Sequence, residues 1–246
     1  MIAGLMAVAS SARASTANRR LSDRVREADD YYLGRRNPEN VRTALRLLRE
    51  AVAESPQDYE VWWRISKFTC YMARHTTGPD KVKLLEAAID AGEKAVAIAP
   101  ARPEGHLWLG ANRGLMAESR GFLKGLTLTD SIRKEMETVI RLDPDYEQAG
   151  GLRTLARLDY RAPFFKGGDK HRSIELLQDA LKRFPDNSLT MLYLADSYLA
   201  LGRRDEARQQ LENILALCPD PLYAPELAEN QQDAREQLTK HFHVNK

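Results

Sequence analysis

The chain has 246 residues, 29% of them charged, and its formal net charge of +2 is spread through periodic segments instead of blocks. That length supports a sizeable core or an extended repeat array without covalent staples, and the dispersed charge excludes the clustered basic face that a nucleic acid requires. Cys70 and Cys218 lie far apart and outside any metal-ligand spacing, so both read as core thiols, and no run reaches the roughly 20 apolar residues of a transmembrane helix.

At the N-terminus, residues 2–9 are apolar, and Ala12-Arg13-Ala14 has the small-x-small form of a secretory cleavage site, followed by Ser15. Residues 1–14 are therefore expected to be a signal peptide, which places the mature protein in the periplasm. The basic segment that usually opens such a leader is absent, and the alternative is an Ala-rich tail on a cytoplasmic protein.

From residue 15 the pattern is helical. Pro38-Glu39-Asn40 before Val41 opens one helix, and Asp130-Ser131 with Glu135 opens another, each with acid in its first turn. Helix-like segments end at Pro56, Pro100, Pro144, Pro185 and Pro219, spaced by 44, 44, 41 and 34 residues. Tetratricopeptide repeats run to about 34 residues, pair a helix A with a helix B, and place small residues where the two meet. Aligned on their prolines, the repeats put Ala44 and Ala51, Ala88 and Ala95, Ile132 and Val139, Ser173 and Ala180, and Ala207 and Ile214 at the two close-packing positions of helix B.

Helix A carries a large, large, small signature at Trp62, Ile65 and Ser66, at His106, Leu109 and Gly110, and at Met191, Leu194 and Ala195; bulky Tyr32 is the exception in the first repeat. The extra residues of the longer repeats fall between helices A and B, at 74–80, 121–129 and 162–169, where Gly and Pro predict breaks. The block from Ala224 to Phe242 is polar, as a terminal cap must be. The expected fold is all-α: a helical-repeat superhelix of about five tetratricopeptide-like αα-hairpins over residues 15–222, with a C-terminal capping helix and tail over 223–246.

Such an array binds along the inner side formed by its A helices. The second repeat offers Glu60, Trp63, Lys67, Cys70 and Tyr71, the third Glu104, Leu107, Ala111, Gly114 and Leu115, and the fifth Leu189, Leu192 and Asp196. In the fourth repeat, Leu155-Ala156 at the packing positions turn Arg153, Arg157 and Tyr160 inward. A clamp for a peptide carboxylate would want several Lys and Asn here, and only Lys67 qualifies. Trp108 and Asn112 share the helix of Gly110, where small residues either pack helices or leave room for a ligand. Phe164-Phe165 precede Gly167-Gly168 and are expected to lie under their loop; displayed, they would meet a partner or a lipid.

No catalytic constellation emerges. Gly167-Gly168-Asp169-Lys170 lacks the spacing of a phosphate-binding loop, His241-x-His243 sits in a charged terminal tail, and His106 fills a helix-packing slot. A non-enzyme without cofactor or metal is expected.

Residues 103–125 (PEGHLWLGANRGLMAESRGFLKG) and 143–169 (DPDYEQAGGLRTLARLDYRAPFFKGGD), with the helix after them, resemble the T-component (TatT) family of tetratricopeptide proteins associated with TRAP transporters. The resemblance implies an exported homo-oligomer, a trimer, paired with a periplasmic substrate-binding protein and having an apolar passage for a hydrophobic or organic-acid ligand. Carried over by motif, it points to Glu104, His106, Trp108 and Asn112, to Gly150, Gly151, Arg153 and Arg157, and to the loop at 163–169. No cysteine stands near residues 10–20, so a soluble periplasmic form is expected over a lipid-anchored one. The other reading of the same inner wall is a general scaffold that assembles protein complexes.

Overall fold

The computed structural model describes residues 19–242, the side chain of Phe122 excepted. The expected leader at 1–14 and His243 lie outside the described residues. Among the described residues there is no strand, and the helices pair into the expected hairpins. The chain divides into two compact units, Met1–Ala99 and Pro100–Lys246, so the division falls at the proline that ends the second repeat.

The first unit contains α1 (residues 19–33), α2 (Pro38–Glu54), α3 (Tyr59–Arg74) and α4 (Gly78–Ile98). The helix starts are chemically specified: Asn37 Oδ1 accepts from Glu39 N at 3.1 Å and Asp58 Oδ1 from Val61 N at 3.2 Å, each meeting an otherwise unpartnered first-turn donor. The break expected over 74–80 lies between Arg74, the end of α3, and Gly78, the start of α4, and Pro79 stands in the first turn of α4, where a proline has no N–H to lose and its φ already suits a helix. Tyr32, the bulky exception, lies flat on Phe68 with ring centroids 3.9 Å apart and an interplanar angle of 6°. Stacking absorbs the large side chain where a small one was expected.

The second unit contains α5 (Pro103–Ser119), the short α6 (Phe122–Gly125) with a 3-10 turn at Leu126–Leu128, α7 (Thr129–Leu142), α8 (Tyr146–Arg161), a 3-10 turn at Phe164–Lys166, α9 (Lys170–Arg183), α10 (Ser188–Ala200), α11 (Arg204–Ala216) and α12 (Ala224–Phe242). The inserted residues at 121–129 are thus mostly coiled into turns instead of open loop. The expected cap is α12; its Ala234 and Leu238 close the core of Leu194, Tyr198, Leu211 and Ile214.

All ten close-packing positions named from the sequence are buried, none more than 2% exposed. Gly110 shows why size matters there: a Cβ would stand 3.2 Å from Glu135 Cβ and 2.3 Å from Met136 Cε across the α5–α7 contact. Cys70 is buried as expected, whereas Cys218 is exposed, because it follows the last turn of α11.

Regular helix begins late in α8. Glu147, Gln148 and Ala149 have φ of 50°, 54° and 59°, a left-handed turn that costs about 1–2 kcal/mol per residue. Arg153 holds it by donating to the carbonyls of Gln148 (2.9 Å) and Glu147 (3.2 Å), and Asn187 Nδ2 donates to Gln148 Oε1 at 2.5 Å. Leu155 and Ala156 are buried, as their assignment to the packing positions requires.

Replacing Ala207, fully buried, with Leu overpacks α11 and is expected to cost about 2 kcal/mol in urea denaturation. Arg208→Ala, on the exposed side of the same helix, stays within about 0.5 kcal/mol of the parent.

Candidate functional site

Within the second unit the A helices form a continuous row: α5 touches α8, α8 touches α10, and α10 touches α12. On this row Arg157 of α8 is gripped from three sides. Its Nη1 donates to Asp196 Oδ2 at 2.6 Å, and its guanidinium lies 5.1 Å from the Tyr160 ring centroid and 4.5 Å from that of Tyr193. Gln237 Nε2 of α12 donates to the other oxygen of Asp196 at 3.0 Å. Burial disfavours the Arg157 charge, but Tyr193 and Asp196 outweigh it and hold the pKa above the usual guanidinium value. The two ionic side chains remain reachable, 22% and 21% exposed.

The other expected site residues separate into surface and core. In the first unit, Trp63 Nε1 donates to Glu60 Oε2 at 3.0 Å and Lys67 Nζ stands 5.9 Å from the Tyr32 ring centroid; both are half-buried. In the second unit, Trp108 and Ala111 are half-buried, and Glu104 pairs with Arg102. Leu107, expected on the open wall, is 3% exposed because it fills the α5–α8 contact against Gly150. Asn112 is fully buried and donates from Nδ2 to Trp108 O at 2.8 Å. Arg153 is turned back onto the carbonyls of its own helix start. The structure therefore gathers Arg157, Tyr160 and Asp196, and adds Tyr193 and Gln237, which the repeat frame had not placed inward. Tyr193 lies three residues before Asp196, so helical spacing alone puts the two on one face.

Phe164 and Phe165 correct an expectation: they are 91% and 74% exposed, not covered by their loop. The loop beneath them is tightly built. Fully buried Asp159 accepts from Arg133 Nη2 and Arg172 Nη2, both at 2.7 Å, and the same two guanidinium nitrogens donate to Gly167 O at 3.0 and 2.6 Å. Gly168 N donates to Pro163 O at 3.0 Å, and a Cβ on Gly168 would stand 1.8 Å from Ala162 O. With no slack for the phenylalanines to fold back, the turn holds them outward.

His106 is the satisfied core histidine expected. Its Nδ1 lies 2.6 Å from Glu135 Oε2 and its Nε2 2.9 Å from Pro100 O; Arg113 Nη1 donates to Glu135 Oε1 at 3.0 Å. A carboxylate and a carbonyl both accept, so the site favours the protonated imidazole, which can donate from both ring nitrogens. The hydrogen bond to Glu135 is the largest cause of its raised pKa, burial opposing it.

Two outcomes follow from these clusters. The raised folded pKa of His106 means that its stabilisation is complete below the ordinary histidine value of 6.5 and is lost as pH rises through the folded value. Thermal stability measured from pH 6 upward is expected to fall more for the parent than for His106→Gln, because the variant has no proton to lose. Asp159→Ala deprives Arg133 and Arg172 of their shared acceptor, with an expected loss of about 2 kcal/mol in denaturant melts and faster amide exchange across residues 163–169.

Residues 24–153 match the family described as "Regulator of microtubule dynamics protein 1-3", and residues 165–229 match the tetratricopeptide repeat. Neither match is to the TRAP-associated component; residues 103–125, which carry part of that resemblance, lie inside the first match. No curated protein matches the chain. Among solved structures, a thermophilic tetratricopeptide protein of Thermus thermophilus superposes with a TM-score of 0.62 at 21% identity, over 91% of this chain and 100% of that one. PilW, described as a widely conserved type IV pilus biogenesis factor, superposes at 0.60 with 16% identity, over 92% and 95% of the two chains. A MamA protein superposes at 0.51 with 16% identity, over 91% and 96%. At these identities the likeness shows the fold alone: the protein is an all-α chain of tetratricopeptide type, and it belongs to the Regulator of microtubule dynamics protein 1-3 family.

Proposed function

We propose that the protein is a non-catalytic scaffold that binds a protein partner on the inner row of its second unit, with Arg157, Tyr160, Tyr193 and Asp196 at the centre of the contact. The observation that carries this reading is the Arg157 cluster, in which a half-buried guanidinium is held between two tyrosine rings and a carboxylate. Arg and Tyr dominate interface hot spots because they combine large contact area with directed hydrogen bonds, and side chains already held in place lose little entropy on binding.

The family description makes the microtubule the first partner to test. The finer reading, a periplasmic homotrimeric component of a TRAP-type system that pairs with a substrate-binding protein and carries an apolar ligand, rests on the resemblance of residues 103–125 and 143–169. It uses the same row of helices and makes a different demand on assembly state.

Microtubule co-sedimentation of the full chain tests the first, with Arg157→Ala expected to weaken binding about 30-fold, a loss of about 2 kcal/mol, while circular dichroism is unchanged. Binding by Arg157→Ala and Tyr193→Ala at parental strength removes the inner row as the contact. Native mass spectrometry tests the second: a trimer with an added non-protein mass supports the transport component, and a bare monomer eliminates it.

A further inference from the structure

Phe164 and Phe165 stand out in this unit because large apolar side chains are held in water by a turn with no freedom to bury them. The preceding repeat repeats the arrangement. Phe122-Leu123-Lys124-Gly125 and Phe164-Phe165-Lys166-Gly167 share one pattern, each between helix A and helix B of its hairpin. Leu123 is 79% exposed. The two segments occupy the same edge of the unit: Lys166 Nζ lies 3.2 Å from Asp130 Oδ2, at the start of the helix that follows the first segment, and Arg161 Nη2 donates to Glu118 Oε1 at 3.3 Å just before it.

We propose that this edge is a peripheral membrane-docking surface, in which Leu123, Phe164 and Phe165 enter the interface of an anionic lipid bilayer and the neighbouring basic side chains meet its headgroups. Charge selects the occupant. Arg120, Lys124 and Lys170 are exposed around the apolar tips, whereas Arg161 and Lys166 pair with Glu118 and Asp130 and so cancel their charge, and Asp169 caps α9. Anionic headgroups complement such a ring, and aromatic side chains favour the bilayer interface. Area points the same way. A stable protein interface takes about 800 Å² of total surface from each partner, more than three side chains on two turn tips supply, while shallow insertion needs only the tips. No helix among the described residues is long and apolar enough to cross a membrane.

The test is sedimentation of the full chain with vesicles of phosphatidylcholine alone or mixed with phosphatidylserine. The parent is expected to bind the anionic vesicles, less so at high salt. Phe164→Ser/Phe165→Ser is expected to lower affinity at least about tenfold with unchanged circular dichroism, since both side chains are exposed. Lys124→Glu/Lys166→Glu is expected to remove the preference for phosphatidylserine, and Phe165→Trp to give an indole emission that shifts to the blue on vesicles. Parental binding by the double serine variant, or an indole emission of the Phe165→Trp variant that vesicles leave unmoved, overturns the proposal. So does failure of the parent to bind anionic vesicles, and self-association that the serine variant abolishes would then assign the edge to a second copy of the chain.

Discussion

Ala44 and Ala51, Ala88 and Ala95, and Ala207 are fully buried where helix B meets helix A of its own hairpin, and their size sets how near the two backbones come. Each hairpin has apolar surface on both sides, so once its helices are locked at short range it must be covered by its neighbours or by α12. The regular row of A helices in the second unit follows from that packing. Where a large residue occupies a small position, the chain accommodates it locally, as with Tyr32 stacked on Phe68. Where the backbone departs from helix, at residues 147–149, hydrogen bonds from Arg153 and Asn187 hold the departure in place.

The third and fourth repeats add charge to this apolar frame. Glu135 joins His106 and Arg113 across the α5–α7 hairpin, and Asp159 joins Arg133 of α7 to Arg172 of α9. Both carboxylates are shared by two cationic groups, which offsets the desolvation that a buried ion incurs. Their positions matter for function: one lies under the helix carrying Trp108 and Ala111, and the other under the turn displaying Phe164 and Phe165. The buried charges therefore support the two surfaces that face outward.

Those surfaces differ in physical character. The inner row is polar and aromatic, with Arg157 fixed by Asp196 and two tyrosines, a composition suited to directional recognition. The loop edge is apolar at its tips and basic around them, a composition suited to a bilayer interface, which has no fixed partner geometry. One unit thus offers separate places to hold a protein and to rest on a membrane.

The repeat itself was legible in the sequence, because proline spacing and the recurrence of small residues are one-dimensional records of a helix-packing rule that each hairpin obeys locally. Ala51 or Ala180 can be assigned to its slot without knowing what lies beyond its own hairpin. The site was legible only in part. The repeat frame turns Arg157, Tyr160 and Asp196 to one side and the structure brings them together, but Leu107 is covered by α8 and Arg153 is held by its own helix start, facts that depend on a neighbouring helix and on a left-handed turn. The outward display of Phe164 and Phe165 was hidden for the same reason: Asp159 and its two arginines, drawn from three helices, hold the turn. Local chemistry along the chain determined the helices and their pairing; exposure was decided by tertiary structure, because it depends on which distant side chains arrive to cover a residue or to hold it in water.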